Sequence, residues 1–180
     1  FLNHSINLKN VKIVSNALNS ANLSIKYDSE KFNVYLNDEN VNSQIRTEKV
    51  NSFVSSVSKI DIVRKKMVEI QRNFSKNRNI IVEGRDIGSV VFPKAEFKFF
   101  LSADINVRAE RRFKETEEKE AINLMELASN LEERDKIDSS RNISPLVKTE
   151  DAIEINTTFL TINEQVDKIY NIITNREQLK

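Results

Sequence analysis

The sequence predicts an α/β fold, in which a parallel sheet is covered by helices and a small antiparallel block sits at its side. Three observations carry this prediction. Short apolar runs, "NIIVEG", "FKFFLSA" and "DAIEINTT", alternate with helical patterns through the second half of the chain. The first two lack regular polar alternation, as expected of strands covered on both faces. Earlier, "LSIKY" and "FNVYL" alternate with period two, which marks an antiparallel pair with one solvated face. A chain of 180 residues, 39% of them hydrophobic, is long enough to bury one good core.

In order along the chain, "LNHSINLKNVKIVSNAL" places apolar residues at helical spacing, weakened by its asparagines. The two alternating runs follow, joined by the polar "DSEK", and "NDENVNS" offers another turn, so a small antiparallel sheet of two or three strands is expected. From Thr47 the pattern becomes helical. Val50, Phe53, Val54 and Val57 form one apolar stripe; Ile62, Val63, Met67 and Ile70 form a second, and Asp61 is an N-cap candidate that splits the two near Ile60. "NIIVEG" and "FKFFLSA" read as buried strands, each followed by a turn. Asp104 is placed to cap a helix entering "RRFKETEEKE", another helix covers "LMELASNLEERDKIDSSR" in whole or part, and Pro145 closes that stretch. "DAIEINTT" supplies one more strand, and Thr161 caps a final helix along "INEQVDKIYNIIT".

Charge and composition exclude several function classes. With 28 basic and 27 acidic residues the formal charge is +1, which supplies no broad positive field for nucleic acid. The absence of cysteine excludes disulfides and thiolate metal sites and fits a reducing compartment, so a cytoplasmic location is expected. Apolar runs fall far short of the roughly 20 residues that a membrane span requires, and no membrane partner is expected. The opening "FLNHSINLKN" lacks the pattern of a secretory leader and begins with Phe rather than Met, which leaves room for a truncated start. His4 has no motif around it, and no Ser/His/Asp arrangement, paired-His motif or EF-hand loop is present.

Both glycines of the chain, Gly84 and Gly88, fall in "EGRDIGSVVFP", with Arg85 and Asp86 between them. Ligands of α/β sheets sit outside the carboxyl ends of strands, where "NIIVEG" would deliver this pair. Arginine offers a planar fork for a phosphate, and an ionised Asp accepts hydrogen bonds. The alternative is a strand-ending turn whose Arg and Asp pair on the surface. Arg134, Asp138 and Arg141 share one helix face at i, i+4 and i+7; they suit a phosphate with sugar hydroxyls, or form an ordinary salt-bridge ladder. Arg108, Arg111 and Arg112 have i, i+3 and i+4 spacing, and form either a phosphate-facing cluster or a solvated basic face opposite "ETEEKE".

"EGRDIGSVVFPKAEFKFFLSADINVRAERR", "IRTEKVNSFVSSVSKIDIVR" and "EERDKIDSSRNISPL" together resemble bacterial cytidylate kinase, in register from about Leu23 to the final helix. The resemblance implies the P-loop nucleoside-monophosphate kinase fold, with a five-stranded parallel core, helices on both faces, a mobile lid and an enlarged monophosphate-binding insert. It implies one kinase-like domain over residues 1–180, with the insert at about 22–75 and the core and lid region at 76–180. The implied reaction transfers the γ-phosphoryl group of ATP to CMP or dCMP, with Mg²⁺, in a monomer.

The resemblance assigns roles residue by residue. Ser55, Arg64 and Asp86 match positions around the cytosine ring, where an Asp acceptor beside an Arg donor complements the N4 amino group and the N3 and O2 acceptors; uracil reverses the first two groups. Arg85 and Arg141 match arginines that hold the α-phosphate, and Arg134 and Asp138 match a pair near the sugar hydroxyls. Arg108, Arg111 and Arg112 match cations of the lid region near the ATP phosphates, with Arg111 the candidate for stabilising the transferring group and Arg85 the second catalytic candidate. Arginine there would neutralise charge spread over the equatorial oxygens. One departure is large. A Walker A run needs two glycines followed by Lys, and Gly84 and Gly88, four apart, belong to no such run. The phosphate-cradling loop and the first core strand are therefore expected upstream of Phe1, and the 180 residues alone are expected to be inactive. The alternative is a degenerate, non-catalytic nucleotide-binding or interaction protein. Smaller departures are Glu83, Lys94 and Asn156.

Overall fold

The structure is a computed structural model; it describes residues 1–28, 31–115, 123–141 and 144–177, except the side chains of Asp28, Glu48, Ser55, Arg176 and Glu177. The backbone divides into two compact units, Phe1–Ile81 and Val82–Lys180.

The first unit opens with a short 3₁₀ turn at Leu2–His4 and helix α1, Val11–Ser20. Asn10 caps α1 by accepting a hydrogen bond from the Ile13 amide at 3.2 Å, which offsets the poor helix propensity of its asparagines. Strands β1 (Leu23–Asp28), β2 (Lys31–Leu36) and β3 (Glu39–Asn40) form the expected antiparallel sheet, with Leu23 opposite Leu36 and Tyr35 opposite Asn40. Asn37 and Asp38 turn the β2–β3 hairpin at φ 50° and 67°, a conformation that Asn and Asp tolerate better than most side chains. A 3₁₀ turn at Gln44–Arg46 leads to α2 (Glu48–Val57), capped by Thr47, and then α3 (Asp61–Ser75). The helices divide at Ile60 as the two stripes require. Asp61 is the first helical residue instead of the cap, and its carboxylate pairs with Lys65 at 3.0 Å. Val14, Val41 and Val63 are the buried apolar side chains among the described residues of this unit, and α1 packs on α3.

The expected strand "NIIVEG", which runs from the last residues of the first unit into the second, does not form. Residues 79–83 join no ladder among the described residues, and Ile81 and Val82 are exposed. An apolar run becomes a strand only where a neighbour takes its backbone hydrogen bonds. A turn of π-helix, Ile87–Val91, follows where a simple turn was expected. Strands β4 (Phe99–Ser102) and β5 (Ile153–Asn156) pair in parallel, Phe99 opposite Ile153 and Ser102 opposite Asn156. They are the parallel strands among the described residues, against the five implied by the resemblance.

Helix α4 (Ile105–Glu115) begins after Asp104, whose carboxylate accepts from the Asn106 amide at 2.8 Å. Helix α5 (Leu124–Ser139) is capped by Asn123 and packs along α4. Helix α6 (Ile162–Glu177) starts in a reciprocal box: Thr161 Oγ1 accepts from the Glu164 amide at 3.3 Å, and Glu164 Oε2 accepts from the Thr161 amide at 2.7 Å. Val91, Ala109 and Ile155 are buried here. Among the described residues no helix is long and apolar enough to cross a membrane.

Candidate functional site

The glycine-bracketed stretch occupies a tight path. After Arg85 the chain enters the π-turn, where the amides of Val91 and Phe92 donate to carbonyls five residues back, Asp86 at 3.2 Å and Ile87 at 2.7 Å. A Cβ on Gly84 would lie 2.8 Å from Ile87 Cγ1, well inside the ~3.5 Å at which carbon atoms attract. Glycine is required there by close approach; neither glycine has positive φ. A Cβ on Gly88 would meet Lys98 Cδ at 3.3 Å, a milder conflict with a flexible chain. The Lys98 side chain is largely covered, and its ammonium donates to the Pro93 carbonyl at 2.7 Å and to Asp151 at 2.6 Å. The chain just after the π-turn is thereby tied to the segments entering both parallel strands.

Around Arg85 the second unit gathers charges from three segments. Asp138, near the end of α5, is 1% exposed, and a buried carboxylate persists only when it is paired. Arg141 NH2 pairs with its Oδ1, Arg85 Nε lies 3.5 Å from Oδ2, and Arg134 Nε lies 4.0 Å from the same oxygen. The salt-bridge ladder is therefore present, and Arg85 joins it. Of the Arg134 and Asp138 pair, Arg134 is the open member, its side chain 47% exposed.

Asp135, one turn before Asp138, is the residue that sequence reasoning passed over. Its Oδ1 accepts from Arg85 NH1 at 2.7 Å and Arg108 NH2 at 3.2 Å, while Arg108 NH1 holds Oδ2. Partial burial would raise its pKa, but the hydrogen bonds from Arg108 and Arg85, with their charges, outweigh burial and hold the carboxyl below its ordinary range. Its i, i+3 relation to Asp138 was the available signal, since it puts both carboxylates on one face of α5. Four guanidiniums, those of Arg85, Arg108, Arg134 and Arg141, face two carboxylates, which leaves an excess of two positive charges. That balance suits a phosphate monoester dianion, and arginine forks match its oxygens.

The three arginines of α4 do not converge. Arg108 reaches Asp135 on α5. Arg111 donates to the carbonyls of Thr157 at 2.6 Å and Leu160 at 3.3 Å and to the Thr157 hydroxyl at 3.2 Å, so it braces the chain leaving β5. Arg112 lies 3.5 Å from Glu115 on its own helix, in line with a solvated face. A long side chain can reach to either side of its helix, so one-face spacing does not fix a shared target. Asp86 is half-buried, and its carbonyl accepts from the Val90 amide at 2.9 Å. Arg64 is half-buried on α3 of the first unit; Ser55 lies on α2, and its side chain is outside the described residues. No group of three metal-ligating side chains occurs among the described residues, and Asp135 and Asp138 are both bound by arginines. This donor set does not fit a resident Mg²⁺.

A family model described as cytidylate kinase matches residues 1–175. The chain is 46% identical over 175 residues to a cytidylate kinase of Cytophaga hutchinsonii, covering 96% of this chain and 75% of that protein. It is 46% identical over 169 residues to a cytidylate kinase of Fusobacterium nucleatum, covering 93% of this chain and 76% of that protein. It is 39% identical over 173 residues to one of Clostridium botulinum, covering 96% and 78%.

Proposed function

We infer the activity from one premise: the chain belongs to the cytidylate kinase family. It is a phosphotransferase by that membership, and the proposed reaction is ATP plus CMP or dCMP giving ADP plus CDP or dCDP. An oxygen of the acceptor α-phosphate attacks the γ-phosphorus of ATP, and the bond from that phosphorus to ADP breaks. Mg²⁺ would enter with ATP as part of the donor substrate.

The observation that supports an acceptor site in the second unit is the two-charge excess of guanidinium around Asp135 and Asp138. In this reading Arg85 and Arg141 hold the α-phosphate and Arg134 and Asp138 serve the sugar side. Asp86 accepts from the cytosine N4 amino group. Ser55 and Arg64 belong to the same proposal through the resemblance alone. Arg108 and Arg111 steady the parts of the unit that receive ATP, and Arg111 stabilises the transferring group only by releasing the Thr157 and Leu160 carbonyls. No Walker A run occurs in the 180 residues, so the proposal is that they bind CMP and that turnover requires a phosphate-cradling loop supplied to them.

The test is a pair of substitutions read by calorimetric binding. Asp86→Ala should weaken CMP by about tenfold or more while changing UMP little, because only cytosine loses a donor's partner. Arg85→Ala should weaken CMP and UMP by equal factors, because both carry the same phosphate. Equal losses for the two nucleotides on removing Asp86 would end its role in reading the base.

A further inference from the structure

Asp135 has no part in the acceptor assignment, yet its carboxylate holds guanidiniums from two other segments. Arg108, from α4, places both η nitrogens on it, and Arg85, from the turn after residue 84, places NH1 on Oδ1 at 2.7 Å. Oδ1 is thus shared by the two arginines. Arg85 Nε also lies within ion-pair distance of Asp138 Oδ2, at 3.5 Å. A guanidinium is planar and rigid, so the hydrogen bond at NH1, with the Asp138 charge beside Nε, restricts where its remaining η nitrogen points. Both carboxylates come from one face of α5, and Asp135 is shared with Arg108. The side chains of Arg85, Arg108 and Asp135 are 31%, 28% and 27% exposed, so the network is partly shielded from water and its geometry is held more firmly than a surface pair's.

We propose that Asp135 is a positioning residue that aims Arg85 at the acceptor phosphate and makes that aim depend on Arg108. A displacement of α4 that draws Arg108 away would loosen Asp135 and with it the grip of Arg85, so the acceptor phosphate and the arginine-bearing helix are energetically coupled. This rests on the reading of Arg85 as a phosphate-holding group.

The test is calorimetric titration of CMP and of cytidine, which lacks the phosphate, into the wild-type chain and its Asp135→Asn, Arg108→Gln and Arg85→Gln variants and the Asp135→Asn/Arg108→Gln double variant, with a thermal melt of each. Asp135→Asn should weaken CMP by about tenfold, within the range for members of one hydrogen-bonded network, and leave cytidine unchanged. Arg108→Gln, which leaves the Asp135 carboxylate in place, should weaken CMP in the same direction, and the double variant should be no weaker than Asp135→Asn alone. Parallel losses of CMP and cytidine, or fully multiplying losses in the double variant, would overturn the coupling and leave Asp135 a structural ion pair. If Arg85→Gln loses CMP while Asp135→Asn keeps it, only the coupling fails. If Arg85→Gln binds CMP as the wild type does, or the folded wild type binds neither ligand, the acceptor reading fails and the coupling falls with it.

Discussion

Arg134 and Arg141 flank the same carboxylate, but removing them should have unequal costs. Arg141 is nearly buried beside Asp138, whereas Arg134 is half-exposed and 4.0 Å away. Arg141→Ala strips a close partner from a buried charge and should cost about 3 kcal/mol, while Arg134→Ala should cost less than about 1 kcal/mol; denaturant melts of the two variants measure the difference. A pH effect belongs to the same scale. Because Arg108 and Arg85 hold Asp135 below its ordinary value, its stabilisation is fully present above the unfolded carboxyl pKa of about 3.9 and is lost as pH falls through the depressed folded value. Stability of the wild type should therefore fall below about pH 4, and the Asp135→Asn variant should lose less over that interval. The ladder of Arg134, Asp138 and Arg141 was legible from helical spacing. Arg85 as its fourth member was not, because it lies some 50 residues away in sequence and only the tertiary fold brings it to α5.

Elements whose boundary is set by local chemistry were the legible ones. Thr161 and Asp104 cap α6 and α4 as the sequence implies, and the alternating runs pair as β1 and β2. The cap of α6 carries a prediction: Thr161→Ala removes an acceptor for the Glu164 amide and a donor to its carboxylate, and should cost about 1 kcal/mol by thermal melt. Where the outcome depends on a distant neighbour, the sequence misled or left no signal. "NIIVEG" has strand composition, yet residues 79–83 have no ladder partner among the described residues. The π-turn at Ile87–Val91 leaves no periodic signature, since five residues span barely one turn. Its trace in the sequence was Gly84, kept small by the approach of Ile87.

For the molecule as a whole, several large apolar side chains lie exposed among the described residues. Leu101 is 53% exposed, Phe159 95% and Ile162 78%. The hydrophobic content that predicted one good core is only partly buried, since composition reports how much apolar surface exists and not what covers it. A ligand that binds the folded chain and not the unfolded one stabilises it, by about 2.7 kcal/mol when present at one hundred times its dissociation constant. The most direct measurement is therefore calorimetric titration of CMP, UMP and AMP into the folded 180-residue chain. Saturable one-to-one binding of CMP, at least about tenfold tighter than UMP and with AMP weaker still, is the predicted result. Equal binding of CMP and UMP, or no binding of CMP, would contradict a cytidylate acceptor site in this chain.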